Sequence, residues 1–168
     1  MRVGVTGHQS IKPEIEGWVR CEILRVLSTL PPPLIGLTNL AAGTDQLFAD
    51  AILDIGGQLE VVVPFKGYEL AFANPSARHA YERLVAVANR VSILAGGGSN
   101  EESYLEAGKE VARTSELLVA VWDGLPARGI GGTADVVAYA SSLGRPIVQI
   151  NPNSMSTSEL SGRAQQEK

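Results

Sequence analysis

The sequence is poor in the residues that carry metal and covalent chemistry. In 168 residues it has one cysteine, Cys21, and two histidines, His8 and His79. A single thiol forms no internal disulfide, and two distant histidines beside one cysteine match no zinc spacing. No Ser or Thr stands in a G-x-S-x-G elbow, so no nucleophile comes with a matching base. Neither a metal nor a resident cofactor is expected. Cys21 falls within a helical pattern and is expected to be buried or half-buried. Long apolar runs are missing too. None approaches the roughly 18 residues that a membrane span needs, so no membrane partner is expected. The N-terminus runs straight into a strand-like stretch, Arg2 to Thr6, without a positive region followed by an apolar one. No signal peptide is expected, and the cytoplasm is the expected location. Basic stretches are also lacking, with a net charge of −4. The absence of a basic stripe argues against nucleic acid as a partner, duplex above all. An acidic chain still binds one small anion, because backbone N–H groups do so locally.

What the sequence does contain is short apolar runs alternating with helical patterns. Hydrophobic residues make up 45% and charged residues 19%, a globular composition. The length fits one domain with a core of its own. Strands are predicted over Val3–Thr6, Leu34–Asn39, Leu59–Pro64, Val91–Ala95, Leu117–Trp122 and Pro146–Ile150. Helices are predicted over residues 13–29, 44–55, 76–88, 103–115 and 133–143. In the first helix Ile15, Trp18, Val19, Ile23, Val26 and Leu27 recur at helical spacing. Runs such as Val61-Val62-Val63 and Leu117–Val121 are apolar without alternation, as in strands buried on both faces. Regular alternation of strand and helix predicts an α/β chain. The expected fold is a Rossmann-like, doubly wound parallel sheet of about six strands with helices on both faces. Residues 1–152 make the single domain. Residues 153–168 are polar and Ser-rich, and are expected to form a flexible tail.

In such a sheet ligands sit beyond the C-terminal ends of the strands, near the switch in strand order. The loops there carry the candidate residues. The first is Thr6-Gly7-His8-Gln9-Ser10, where Gly7 permits a tight turn and Thr6, His8 and Gln9 offer hydrogen bonds. It could equally be a plain strand-to-helix turn. The second runs from Asn39 to Asp45. Its small residues permit close approach, and Gly43 opens a helix whose N–H groups attract anions. Thr44 or Asp45 could instead serve as a helix cap. Asp45 would repel phosphate, so it suits a ribose hydroxyl or a loop contact. The third, Trp122 to Asp135, is the richest. Gly131, Gly132 and Thr133 precede a helix, with Asp123 and Arg128 upstream. Bare N–H groups, little bulk and a hydroxyl are what a phosphate cradle requires. It is not a P-loop, because the Gly-Lys-Thr run is absent. Asp135 lies in the first helical turn. There it favours the helix dipole, or points a carboxylate at a ribose or an attacking water. Phe65, Tyr68 and Tyr104 lie on weaker loops and could stack on a base or pack in the core.

These residues resemble the SLOG superfamily. The resemblance rests on Gly4-Val5-Thr6-Gly7-His8, on Ala41-Ala42-Gly43-Thr44-Asp45 with Ala49 beyond, and on Gly131-Gly132-Thr133-Ala134-Asp135. It covers about Arg2 to Pro152, and Leu118 to Gly124 looks most like small stand-alone bacterial members. The superfamily groups the DNA-processing DprA/Smf proteins with the LOG phosphoribohydrolases. The resemblance implies a Rossmann-like fold that binds a nucleotide or a nucleotide-derived phosphosugar, as sensor or carrier, often as a homodimer. Some members cleave the N-glycosidic bond of a nucleoside 5′-monophosphate, which would give Asp135 a catalytic part. A scaffold or docking role is a third possibility. Of the LOG motif Pro-Gly-Gly-x-Gly-Thr-x-x-Glu, Gly132-Thr133 matches, and the glutamate position falls on Val136. The acid that related deoxynucleotide N-hydrolases carry in the preceding helix falls near Gly108, between Glu106 and Glu110.

Overall fold

A computed structural model describes residues 1–127 and 129–160 of the chain. Strand β1 (Arg2–Gly7) leads into helix α1 (Pro13–Ser28). Strand β2 (Ile35–Thr38), helix α2 (Thr44–Asp54) and strand β3 (Gln58–Val63) follow. A 3-10 turn at Tyr68–Ala71 precedes α3 (Pro75–Val87) and β4 (Arg90–Ile93). Then come α4 (Asn100–Thr114), β5 (Leu117–Val121), α5 (Thr133–Ser142), β6 (Ile147–Asn151) and β7 (Ser156–Leu160). The sheet order is β4-β3-β2-β1-β5-β6-β7. Six strands run parallel, and β7 pairs antiparallel with β6.

The fold is the expected Rossmann-like, doubly wound arrangement, and its core explains why. Residues of β5 alternate between two apolar layers. Leu117, Val119 and Val121 pack with Val19, Ile23 and Phe48 of α1 and α2 on one face. Leu118 and Ala120 pack with Val111, Ala112, Val136 and Ala140 of α4 and α5 on the other. A strand covered on both faces must be apolar throughout, as its sequence is. Helix α3 extends the first face over β3, where Tyr81 and Leu84 meet Leu59, Val61 and Val63. Among the described residues, no helix is long and apolar enough to cross a membrane.

The structure corrects three details. Cys21 is exposed, because the buried stripe of α1 is Val19, Ile23, Val26 and Leu27 and Cys21 faces away from it. Helix α4 begins at Asn100, before the expected 103. The Ser99 side chain accepts from the Glu102 N–H while Glu102 reaches back to the Ser99 N–H, a capping box that nucleates the turn early. The expected tail from residue 153 is in part a seventh strand. Its residues Ser156–Leu160 carry no apolar pattern because an edge strand is held by backbone pairing to β6, here aided by the Thr157 hydroxyl donating to Glu22 at 2.5 Å. The rest of that tail, residues 161–168, lies outside the described residues.

Sheet and helix approach closely where β2 lacks a side chain. A Cβ on Gly36 would stand 2.6 Å from Ile52 Cγ1 and 3.0 Å from the Phe48 ring. Gly36→Val should therefore destabilise the fold by ~1–3 kcal/mol through overpacking, read as a lower urea midpoint. An unchanged midpoint would show that α2 can move away from the sheet without cost.

Candidate functional site

The strand order reverses between β1 and β5, since β2 lies on one side of β1 and β6 on the far side of β5. The loops after these two strands diverge, and a cleft of about 740 Å³ opens between them. Its floor and walls come from the ends of β1, β2, β3, β5 and β6. The loop from Thr6 to Lys12 lines it, as do Trp122, Asp123, residues 125–127, residues 129–134 and Val136, together with Asn39, Ala41, Asp45, Tyr68 and Tyr104. Position in the sheet, rather than any single motif, brings these loops together.

Of the candidates from the sequence, Thr6, Gly7, His8, Gln9, Asn39, Asp45, Asp123, Gly131, Gly132 and Thr133 line the cleft. Gly43 and Thr44 do not, and their roles are architectural. Thr44 is fully buried, and both its N–H (3.2 Å) and its hydroxyl (2.9 Å) donate to the His8 carbonyl. Gly43 sits at φ +78°, and a side chain there would collide with the carbonyl of Gln9. A Cβ on Gly7 would lie 2.5 Å from the Thr44 side chain. These small residues let the second loop lie directly on the first.

Asp45 is also a fastener, although it touches the cleft. Its Oδ2 accepts from the Thr38 hydroxyl at 2.9 Å and from the Asn39 N–H at 3.0 Å. Burial pushes its carboxyl up to about 6, against the pull of the Thr38 and backbone donors. The Asn39 side-chain amide donates to the Val62 carbonyl at 2.8 Å and the Ala107 carbonyl at 3.3 Å, tying β2 to β3 and α4. On the other wall, Asp123 accepts from the Leu125 N–H at 3.0 Å, closing a tight turn. The His8 ring bridges the loops. Its Nε2 accepts from the Asp123 N–H at 3.4 Å and lies 3.5 Å from the Asp123 carboxylate.

The glycine-rich loop ends at α5. Gly132 takes the N-cap position, and no side chain caps the helix there. An uncapped first turn leaves N–H groups at the helix start without a side-chain acceptor, and Thr133 and Ala134 of that turn form part of the cleft wall. Asp135 does not face this space. Its Oδ2 accepts from the Gly131 N–H at 3.0 Å, and the residue is not part of the cleft wall. The carboxylate therefore shapes the loop, and Asp135, expected as a catalytic acid, is not among the residues that line the cleft. Gly131 needs this support: it stands at φ +84°, and a Cβ would lie 2.7 Å from the Glu101 carbonyl of α4. Glu106 and Glu110 pair with Lys109 and Arg113 along α4, not in the cleft. Arg128 lies outside the described residues.

Sequence reasoning missed Lys12, Ile15, Trp122, Leu125 and Pro152, all of which line the cleft. Trp122 had a legible signal, since it directly precedes Asp123. Its indole donates to the Leu125 carbonyl at 2.8 Å and shapes the same turn. Pro152 could be placed only once β6 was known to stand beside β5. Among the described wall residues Lys12 is the cation, against Asp45 and Asp123. An anion bound here would depend on backbone donors more than on side-chain charge. Among the described residues no group of three or more His, Cys, Asp or Glu could hold a metal ion.

Asp45 makes a direct prediction about pH. Its folded-state value of about 6 lies above the ordinary carboxylate value of 3.8. The contribution of this group is thus fully present below about pH 4 and is lost as pH rises through about 6, a swing of ~3 kcal/mol. Relative to Asp45→Asn, the wild-type protein should lose stability between about pH 4 and about pH 7 in urea unfolding. A difference between the two that stays constant with pH would show that Asp45 titrates normally.

Known structures share this architecture. DNA processing protein A (DprA) of Streptococcus pneumoniae superimposes with a TM-score of 0.62 at 17% identity, over 89% of this chain and 50% of that one. DprA of Helicobacter pylori, described with its single-stranded DNA binding mode, gives 0.64 at 13% identity, over 90% and 65%. The molybdenum cofactor carrier protein of Chlamydomonas reinhardtii gives 0.51 at 18% identity, over 91% and 79%. This chain spans half to two-thirds of the DprA lengths. No protein-family model and no curated protein matches the sequence. The likeness overturns the expectation that nucleic acid is an unlikely partner, because a protein of this fold is described binding single-stranded DNA. The physical reason is scale. Net charge averages over the whole surface, whereas a single strand is held by a local groove and by stacking on aromatic rings. The chain therefore has the Rossmann-like α/β fold that these structures share and that its sequence predicts.

Proposed function

We propose that this chain binds a nucleotide or a nucleotide-derived phosphosugar in the cleft between β1 and β5, as a sensor or carrier. One observation carries the reading. The uncapped N-terminus of α5, with Gly132 and Thr133, opens into a cleft at the switch in strand order. Backbone N–H groups there suit a phosphate, and the helix dipole adds to the attraction. The depth of the cleft leaves room for a sugar and a base beyond the phosphate. The molybdenum cofactor carrier protein of similar fold supports a carrying role, since it is named as a carrier.

Hydrolysis of the glycosidic bond would require a carboxylate at the sugar. Asp135 is committed to Gly131, Asp45 to the loop between β2 and α2, and Asp123 to the Leu125 N–H of its own turn. Binding without turnover is thus the better-supported reading. A second reading, a segment of single-stranded nucleic acid in the same cleft, is favoured by the likeness to DprA of Helicobacter pylori.

The loop assignment is tested with Gly132→Val. Its added Cβ would stand 2.9 Å from the Ala127 Cβ and push the loop off the helix end. Affinity for 5′-AMP in calorimetry should fall about tenfold to a hundredfold, the loss of one or two hydrogen bonds to a charged group. Stability should change by less than ~1 kcal/mol, because the loop is at the surface. Binding as tight as wild type would remove α5 from the site. An oligonucleotide that displaces 5′-AMP would favour the second reading.

A further inference from the structure

The cleft does not end at its back wall. A second cavity of about 340 Å³ continues from it, and Gln9, Ser10, Tyr68 and Tyr104 line both. The walls of this second cavity are aromatic. The Tyr68 ring lies 5.0 Å from Phe72 and 5.9 Å from Tyr104, between centroids. Phe72 and Tyr104 both line the cavity, so they flank Tyr68, which closes its back. Tyr68 is nearly fully buried, and its edge-on contacts with Phe65 and Tyr81 hold its ring in place. Phe72 and Tyr104 keep part of their surface open.

This aromatic cavity stands next to the glycine-rich loop. The Leu105 backbone N lies 3.2 Å from where a Cβ on Gly131 would be, so Tyr104 is one residue from contact with that loop. A ligand phosphate at the start of α5 would therefore leave its ring system at the mouth of the second cavity. Polar groups at the rim fit a heteroaromatic edge. Asn74 uses its side-chain oxygen to accept from the Ser76 N–H at 2.8 Å, which leaves its NH₂ group to donate. Gln9 is exposed at the junction of the two cavities.

We infer that the second cavity is the subsite for the nucleobase, a flat heteroaromatic ring stacked on Tyr104 or Phe72 with Asn74 and Gln9 at its edge. The inference rests on the proposed nucleotide binding and goes further, because it makes the ring system, and not the phosphate alone, the group that is recognised. Stacking tolerates any base, so the subsite would select nucleotides over phosphosugars without a ring, more than one base over another.

The test compares ribose 5-phosphate with 5′-AMP, 5′-CMP, 5′-GMP and 5′-UMP by calorimetry on the wild-type protein, then on Tyr104→Leu and Phe72→Leu. The wild type should bind the nucleotides about tenfold or more tighter than ribose 5-phosphate. At least one variant should lose that advantage while its affinity for ribose 5-phosphate stays the same. Equal wild-type affinity for the sugar phosphate and the nucleotides would overturn the base subsite and leave the phosphate site standing. A wild-type preference that survives in both variants would also overturn it. No binding of any of the five would overturn the nucleotide reading itself, and the subsite with it.

Discussion

The structure depends on one close crossing, where the loop after β2 lies on the end of β1. The His8 carbonyl accepts both the N–H and the hydroxyl of Thr44. Two glycines make this contact possible. Gly7 leaves room for the Thr44 side chain, and Gly43 clears the Gln9 carbonyl. Because the contact consumes the start of α2, that helix end is not open to a ligand in the way that α5 is. The two glycine-rich helix starts of this chain thus do different work. The first welds two loops together, while the second is left uncapped at the switch in strand order.

Carboxylates near the cleft follow the same logic. Each of them takes a backbone donor. Asp45 accepts from Asn39, Asp123 from Leu125 and Asp135 from Gly131. A carboxylate that satisfies loop N–H groups fixes a turn that would otherwise be open, since buried backbone donors need partners. The acids that looked suited to chemistry are the struts of the loops that shape the cleft. This arrangement favours holding a ligand over attacking one. It also explains how an acidic chain can form an anion site, with the negative charge tied into turns and backbone N–H groups left at the α5 end.

Likeness to proteins of the same fold widens the range of partners without choosing among them. The neighbours named here include DNA processing proteins and a cofactor carrier. What they have in common is the fold, and one fold can carry very different functions. The distinguishing features of this chain are local: the Trp122–Leu125 turn, the His8–Asp123 contact and the aromatic group around Tyr68.

The sequence by itself determined the fold class. Continuous apolar strands such as Leu117–Val121, alternating with amphipathic helices, admit little besides a sheet covered on both faces. It also determined that the loops after the first, second and fifth strands meet at the site, because a doubly wound sheet places them there. It was silent on β7, whose residues Ser156–Leu160 are polar, since an edge strand is specified by pairing with its neighbour and not by its own hydrophobicity. Which side chains line the cleft was likewise left to the tertiary structure. Asp135 and Asp45 look alike in sequence, each an acid in the first turn of a helix after a glycine, and neither spacing nor propensity says where a carboxylate turns. That is decided by which N–H groups the surrounding loops leave unpaired. The assembly of Tyr68, Phe72 and Tyr104 into one cavity was decided the same way, by the 3-10 turn after β3 meeting the first turns of α4 and not by any pattern along the chain.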